Sequence, residues 1–195
     1  LHGKERTFGR LGWDKFFNHH PHHYGWVVEV DPRSGKAQKH TSLGRFAHEC
    51  CTVTKAKDGT VVAYSGDDKA DEFIYKFISD SKDSLDQGEL FVADLVNGKW
   101  LSLDIDKSQI LKDNFKTQLE IQIHTRKAAR FLGATPCDRP EDVEIHPVSG
   151  DIYVALTNNY SKKDLKNPKN NFFGQILKIS HPSGDHKSKQ LSSEV

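Results

Sequence analysis

Five short turn signals divide most of the chain into paired apolar runs: DPRSG at 31–35, KDG at 57–59, NG at 97–98, HPVSG at 146–150 and HPSG at 181–184. Each junction reads strand, turn, strand, because Gly, Asn, Asp and Pro supply the backbone angles that reverse a chain within a few residues. The flanking runs are YGWVVEV and KAQKHTSL, HECCTVTKA and TVVAYSG, ELFVADL and KWLSL, EDVEI and DIYVAL. Asn97-Gly98 between apolar runs is the strongest of these hairpin signals. EFIYKFIS adds a strand in which Phe73, Tyr75 and Phe77 share one face, since side chains alternate sides with a period of two. Punctuation this dense predicts an all-β chain of short antiparallel strands.

The units also repeat. Setting Glu49 against Glu141, 92 residues on, places Val53 on Ile145, the turn KDG on VSG, Thr60-Val-Val-Ala on Asp151-Ile-Tyr-Val, and Asp67-Asp68 on Asn158-Asn159. Repeated strand pairs are the signature of radial β architectures, although the spacing exceeds the roughly 40–50 residues of one propeller blade. The excess falls in residues 106–133, where the strand pattern lapses. There Thr125 as N-cap, the run RKAARFL and Gly133 past its end predict a short helical insertion. The expected fold is part of a β-propeller, about two to three blades over residues 1–195, with a small β-sandwich of seven or eight strands as the alternative. Two or three blades cannot close a ring, so the expectation is of a piece of a larger protein.

Composition excludes several function classes. With 28 basic and 27 acidic residues the net charge is +1, which gives no reason to expect nucleic acid or an anionic membrane as partner. No apolar run approaches the 18 residues of a membrane-spanning helix. The three cysteines include the adjacent Cys50 and Cys51, which do not suit a disulfide framework, and whose side chains should point to opposite faces of a strand. GxSxG, Walker, HExxH and CxxC patterns do not occur, against serine-triad, nucleotide-cradling and ordinary zinc-protease chemistry.

The propeller expectation gathers the polar residues. In an up-down blade the second strand ends near where the first began, bringing Glu49 near Asp67 and Asp68, and Glu141 near Asn158 and Asn159. Carboxylates crowded together repel unless a cation neutralises them, and an all-oxygen set suits Ca²⁺ better than Zn²⁺. Arg139, two residues before Glu141, offers a planar fork matched to phosphate oxygens. The plainer alternatives are that GDDKADE is a solvated turn and that Arg139 pairs with Asp138 or Asp142. His19, His20, His22 and His23 invite a transition-metal reading, but their spacing matches no standard zinc pattern, and Pro21 points to a loop whose Tyr24 and Trp26 pack. DIDKSQ at Asp104 opens like an EF-hand loop, yet Gln109 and Phe115 stand where Gly and Glu are required, so a loop is expected.

Seven blocks occur in order across nearly the whole chain: NHHPHHYGWVVEVDP, LGRFAHE, KDGTVVAYSGDD, EFIYKF, LGATPCDRPED, GDIYVALTNN and NPKNNFFGQI. Together they resemble the PhoX-type alkaline phosphatases. The resemblance implies a six-bladed propeller whose channel mouth holds Ca²⁺ and Fe³⁺, hydrolysing phosphate monoesters in the periplasm, or secreted, with a monomer expected. By motif, it implies that Glu49, Asp68 and Glu141 are metal ligands and that Arg139 contacts the substrate phosphate. The family's upstream Trp-x-x-Cys-Glu-Glu block and its export signal have no counterpart here, so the chain is expected to hold part of an active site and to be weakly active or inactive alone. None of Cys50, Cys51 and Cys137 lies where the family places its thiolate ligand. The other functional readings are a calcium-stabilised propeller that serves as a binding or structural module without catalysis, and a lactone-hydrolysing calcium propeller.

Overall fold

A computed structural model describes residues 16–160 and 171–195. Its strands are β1 (Val27–Val30), β2 (Ala37–His40), β3 (Thr52–Lys55), β4 (Val61–Gly66), β5 (Ala70–Glu72), β6 (Ile74–Ser79), β7 (Gly88–Asp94), β8 (Lys99–Ser102), β9 (Cys137–Asp138), β10 (Pro140–Ile145), β11 (Ile152–Leu156), β12 (Gln175–Ser180) and β13 (Ser192–Glu194). They form one five-stranded sheet in the order β3-β4-β6-β7-β8, one four-stranded sheet in the order β10-β11-β12-β13, and two ribbons, β1-β2 and β5-β9. All pairings are antiparallel, and each larger sheet is a meander in which no strand crosses to the other. Successive self-contained meanders are the arrangement of propeller blades; a Greek-key sandwich would exchange strands between its sheets. The mostly-β expectation therefore holds, and the turns fall where their residues placed them. Gly98, for example, adopts φ 64°, a left-handed conformation that its missing Cβ makes inexpensive.

The two sheets pack face to face. Val62, Tyr64, Ile74 and Ile78 of the first share a core with Val143, Val154, Leu177 and Ile179 of the second. The opposite face of the first sheet, with Tyr75, Phe77 and Val92, is covered by α1 (Gln109–Asn114), α2 (Gln118–Ile123) and α3 (Thr125–Phe131). Their Leu111 and Ile121 are fully buried, each stabilising the docked insertion by about 2 kcal/mol. β6 is consequently buried on both faces, and Lys76, on the inter-sheet face, is 0% exposed.

The insertion lies where expected but contains three short helices rather than one. Thr125 is not the N-cap of α3: His124 is, without a side-chain cap bond. The chain passes from α2 to α3 through His124 alone, leaving no extended residue at which a Thr hydroxyl could cap. Thr125 Oγ1 donates back to Gln122 O and accepts from the Arg45 N–H. Gly133, with φ 75°, does follow the end of α3. The EF-hand-like stretch, expected to be a loop, is instead a 3-10 turn at Ile105–Lys107 capped by Asp104, followed by α1 from Gln109 with Ser108 as its cap. Among the described residues no helix is long and apolar enough to cross a membrane.

Candidate metal centre

The two sheets meet at Gly66, the last residue of β4. A Cβ built there would lie 2.4 Å from Pro140 O and 2.6 Å from Glu141 O, so only glycine lets the backbones touch. The Gly66 carbonyl accepts the Glu49 N–H at 3.4 Å, and the Asp68 N–H donates to Ala47 O at 3.1 Å. These backbone contacts bring residue 49 from before β3, residue 68 from after β4 and residue 141 from β10 to one place. Carboxylate oxygens of Glu49, Asp68 and Glu141 all lie within 4.8 Å of one another, Glu49 exposed and the other two half-buried.

Two backbone irregularities aim the groups contributed by β10. The β10-β11 register shifts between Pro140 and Val143: the partners Leu156 and Val154 are two residues apart, whereas Pro140 and Val143 are three. This is a β-bulge, a device that redirects a side chain, and it contains Glu141 and Asp142. Arg139 adopts φ 53°, in the left-handed region, immediately before a proline. Such a residue costs about 1–3 kcal/mol and persists where its surroundings hold it. The surroundings here are Thr157, whose N–H and hydroxyl donate to the Arg139 carbonyl at 3.3 and 3.5 Å.

The strained residue turns its guanidinium onto the trio. Arg139 Nη2 lies 2.8 Å from Asp68 Oδ1 and 2.9 Å from Oδ2, and only the second contact is a directed hydrogen bond. Asp68 Oδ1 is buried with coordinating capacity to spare. The hydrogen bond to Asp68 first, then the nearby Glu141 and Glu49 charges, raise the Arg139 pKa and hold it cationic. Three carboxylates against one guanidinium leave a negative excess, and the all-oxygen donor set fits a hard cation. Arg139 is thus paired with Asp68, not with Asp138 or Asp142.

Other expected members of the site are engaged elsewhere. Asp67 turns inward and is 0% exposed. Arg126 of α3 donates to both its oxygens, from Nε at 2.7 Å and from Nη2 at 2.5 Å. Asp67 and Asp68 are adjacent at a strand end, so their side chains leave on opposite sides and only one can join the trio. Asn159 is buried and donates to Asp71 and Asp138 at 3.0 and 2.7 Å, anchoring the β5-β9 ribbon instead of extending the site. The histidine stretch forms a 3-10 turn at Pro21–His23, and its rings pack on one another: His20 against His22 at 4.4 Å and His19 against His23 at 5.5 Å. Among the described residues the acidic trio is the group of His, Cys, Asp or Glu side chains placed to hold a metal. Cys50 and Cys51 pack against different cores, as strand alternation requires, and burial pushes the Cys51 thiol up to about 11. Cys50 Sγ donates to Glu141 O at 3.5 Å, so the thiol beside the site is turned to the backbone. The block NPKNNFFGQI begins in residues outside the described ones.

Blade-like meanders joined at a carboxylate trio, with an arginine alongside, define a β-sheet protein able to hold a cation next to a group that can meet an anion. The family model described as "Alkaline phosphatase PhoX" matches residues 2–195, and the chain belongs to that family. Among solved structures it is similar to one described as "Pseudomonas fluorescens PhoX in complex with vanadate, a transition state analogue", with 36% identity and a TM-score of 0.81. The alignment covers 88% of this chain and 35% of that one, so this chain spans about a third of its length. That neighbour has a β-propeller-like fold, which this chain shares over the aligned part. No curated protein matches the chain.

Proposed function

We propose that the chain is part of a periplasmic, metal-dependent phosphomonoesterase, built as two to three blades of a propeller, and that Glu49, Asp68 and Glu141 hold its metals while Arg139 binds the substrate phosphate. The observation that carries this reading is the trio within 4.8 Å with Arg139 on Asp68, in a chain of the alkaline phosphatase family. The solved relative's complex with vanadate, a transition state analogue, supports it. Ca²⁺ and Fe³⁺ are the ions assigned, both hard cations suited to carboxylate oxygen. When bound, such ions supply positive charge that stabilises phosphate oxygens and lowers the pKa of bound water.

The chain's own groups then have distinct tasks. Glu49 and Asp68 come from the ends of one sheet and Glu141 from the bulge of the other, so the carboxylates hold charge at the seam. Arg139 carries a fork that can leave Asp68 in part and meet two phosphate oxygens. Its left-handed backbone sets the direction in which the side chain leaves, and the pair with Asp68 holds the guanidinium beside the trio before substrate arrives, which is the form that electrostatic preorganisation takes.

The test is hydrolysis of an aryl phosphate by the full-length protein with Ca²⁺, before and after chelation, and with Glu141→Gln. We expect either change to lower turnover by about 100-fold or more. Activity indifferent to both would overturn the reading. The 195-residue chain alone should be weakly active or inactive, since it spans about a third of the solved relative's length and its trio, at one ligand atom per residue, fills only part of the coordination of Ca²⁺. Robust turnover by the purified chain would contradict that part.

A further inference from the structure

Glu49 is the exposed member of the trio, so packing does not hold its side chain, and its aim depends on the backbone to either side. Ser65 grips that backbone. Its hydroxyl donates to Cys50 O at 2.6 Å and lies 2.8 Å from His48 Nδ1, so one side chain reaches both sequence neighbours of Glu49. The other ring nitrogen, His48 Nε2, donates to Gly44 O at 3.0 Å, and the ring stacks on Phe46 at 3.6 Å, which fixes the imidazole from its far side. The backbone bond from the Glu49 N–H to Gly66 O is long, at 3.4 Å, and leaves the closer grip to Ser65.

We propose that Ser65 is a positioning residue for the metal centre: through Cys50 O and the His48 ring it sets the direction in which Glu49 leaves the chain. The inference rests on the reading of Glu49 as a metal ligand. Ser65 is 5% exposed and pairs with Tyr75, on a sheet face otherwise formed by Ala63, Tyr75, Phe77 and Val92. A hydroxyl is kept on such a face only with its bonds made, and these bonds run out of the sheet to the segment that carries Glu49. Ser65 is uncharged, so replacing it alters geometry at the trio and leaves the balance of charge as it was.

Calorimetric Ca²⁺ titration of the full-length protein tests it, with Ser79 as internal control. Ser79 is a second buried serine of the same sheet, 4% exposed, whose hydroxyl also donates to a backbone carbonyl at 2.6 Å, that of Ser84, at the end of β6 away from the trio. Ser65→Ala and Ser79→Ala should lower the melting temperature of the metal-free protein by similar amounts. Ser65→Ala alone should raise the Ca²⁺ Kd, by about fivefold, the loss of one neutral hydrogen bond to the ligand-bearing segment. Ser65→Cys, which keeps a weaker donor in place, should fall between the parent and Ser65→Ala. Ca²⁺ affinity lost in Glu49→Gln but kept in Ser65→Ala would overturn the positioning role alone. Equal weakening by Ser79→Ala would overturn it too, since overall stability would then set the affinity. A parent protein that takes up no Ca²⁺ would overturn the reading of the trio and this inference with it.

Discussion

Asp67 and Asp68 are neighbours in sequence and opposites in environment. Asp67 is sealed inside, gripped by Arg126, and its Oδ1 also accepts the Ala47 N–H at 3.2 Å. Glu72 lies in the same network, 3.6 Å from Arg126 and 2.5 Å from Arg130. Here each acid has an arginine, and the charges fasten α3 to the sheet. Asp68 faces two more carboxylates and shares one arginine with them. The first arrangement is matched in charge, two acids to two arginines, although Glu72 Oε2 is buried without a hydrogen-bond partner, whereas the second sets three acids against one arginine. What separates a structural ion cluster from a binding site is therefore the surplus of one sign, not the number of acids.

Removing one side of the matched cluster should have the largest effect on stability. Asp67→Ala leaves Arg126 with the longer contact to Glu72 and the Ala47 N–H unbonded, for an expected loss of about 3 kcal/mol in urea unfolding, at the low end for a broken buried pair because Arg126 is partly exposed. A loss under 0.5 kcal/mol would erase the contrast. Next, Gly66→Ala forces its new methyl against two backbone carbonyls, with an expected cost of about 2 kcal/mol and weaker Ca²⁺ binding, because it separates the sheets at the trio. Unchanged Ca²⁺ affinity would show that the seam does not set the site.

A third buried charge sharpens the comparison. Lys76 has neither an acid partner nor a surplus of acceptors. Its Nζ donates to Ser188 O at 2.6 Å and lies 4.6 Å from the Trp100 ring, and burial lowers its pKa to about 6. Since the folded value is below the unfolded one, the unfolded chain binds more protons between about pH 6 and pH 10.5. Stability contributed by this group is complete above pH 10.5 and is lost as pH falls toward 6, with a slope of at most about 1.4 kcal/mol per pH unit. Lys76→Met should flatten unfolding free energy across that window, measured by urea titration at pH 7, 8 and 9; an unaltered slope would show that the amine stays charged.

The smallest expected change is that of Asp68→Asn in the absence of metal, within about 0.5 kcal/mol of the parent, because it relieves repulsion in the trio while weakening the pair with Arg139. Its effect should appear only with Ca²⁺, as loss of the thermal shift the ion gives the parent protein. A large metal-free destabilisation would place Asp68 in the same class as Asp67.

Turn chemistry is local, and so the hairpins and the insertion were legible: Asn97-Gly98 and the glycines closing the other turns act through their own backbone angles. Glu49, Asp68, Glu141 and Arg139 were legible as a set because the repeat and the family blocks point to the same strand ends. The inward turn of Asp67 was not, since its partner Arg126 lies 59 residues on, in a helix whose docking no motif declares. The same holds for Asn159, held by Asp71 and Asp138 of a ribbon too short to read from periodicity. The bulge at Glu141 and the left-handed Arg139 leave no mark in residue type; Arg before Pro would ordinarily be read as extended. A charged residue at position 76 inside an apolar strand was the visible sign of Lys76, but strand alternation assigns it to the face opposite Phe73, Tyr75 and Phe77 without saying that this face is sealed.

The contact at Gly66 works as a mechanical stop. Main chain abuts main chain there, so the gap between the two halves of the trio is gauged by atoms that every sequence shares. A replacement at this one glycine resets the spacing for every ligand at once.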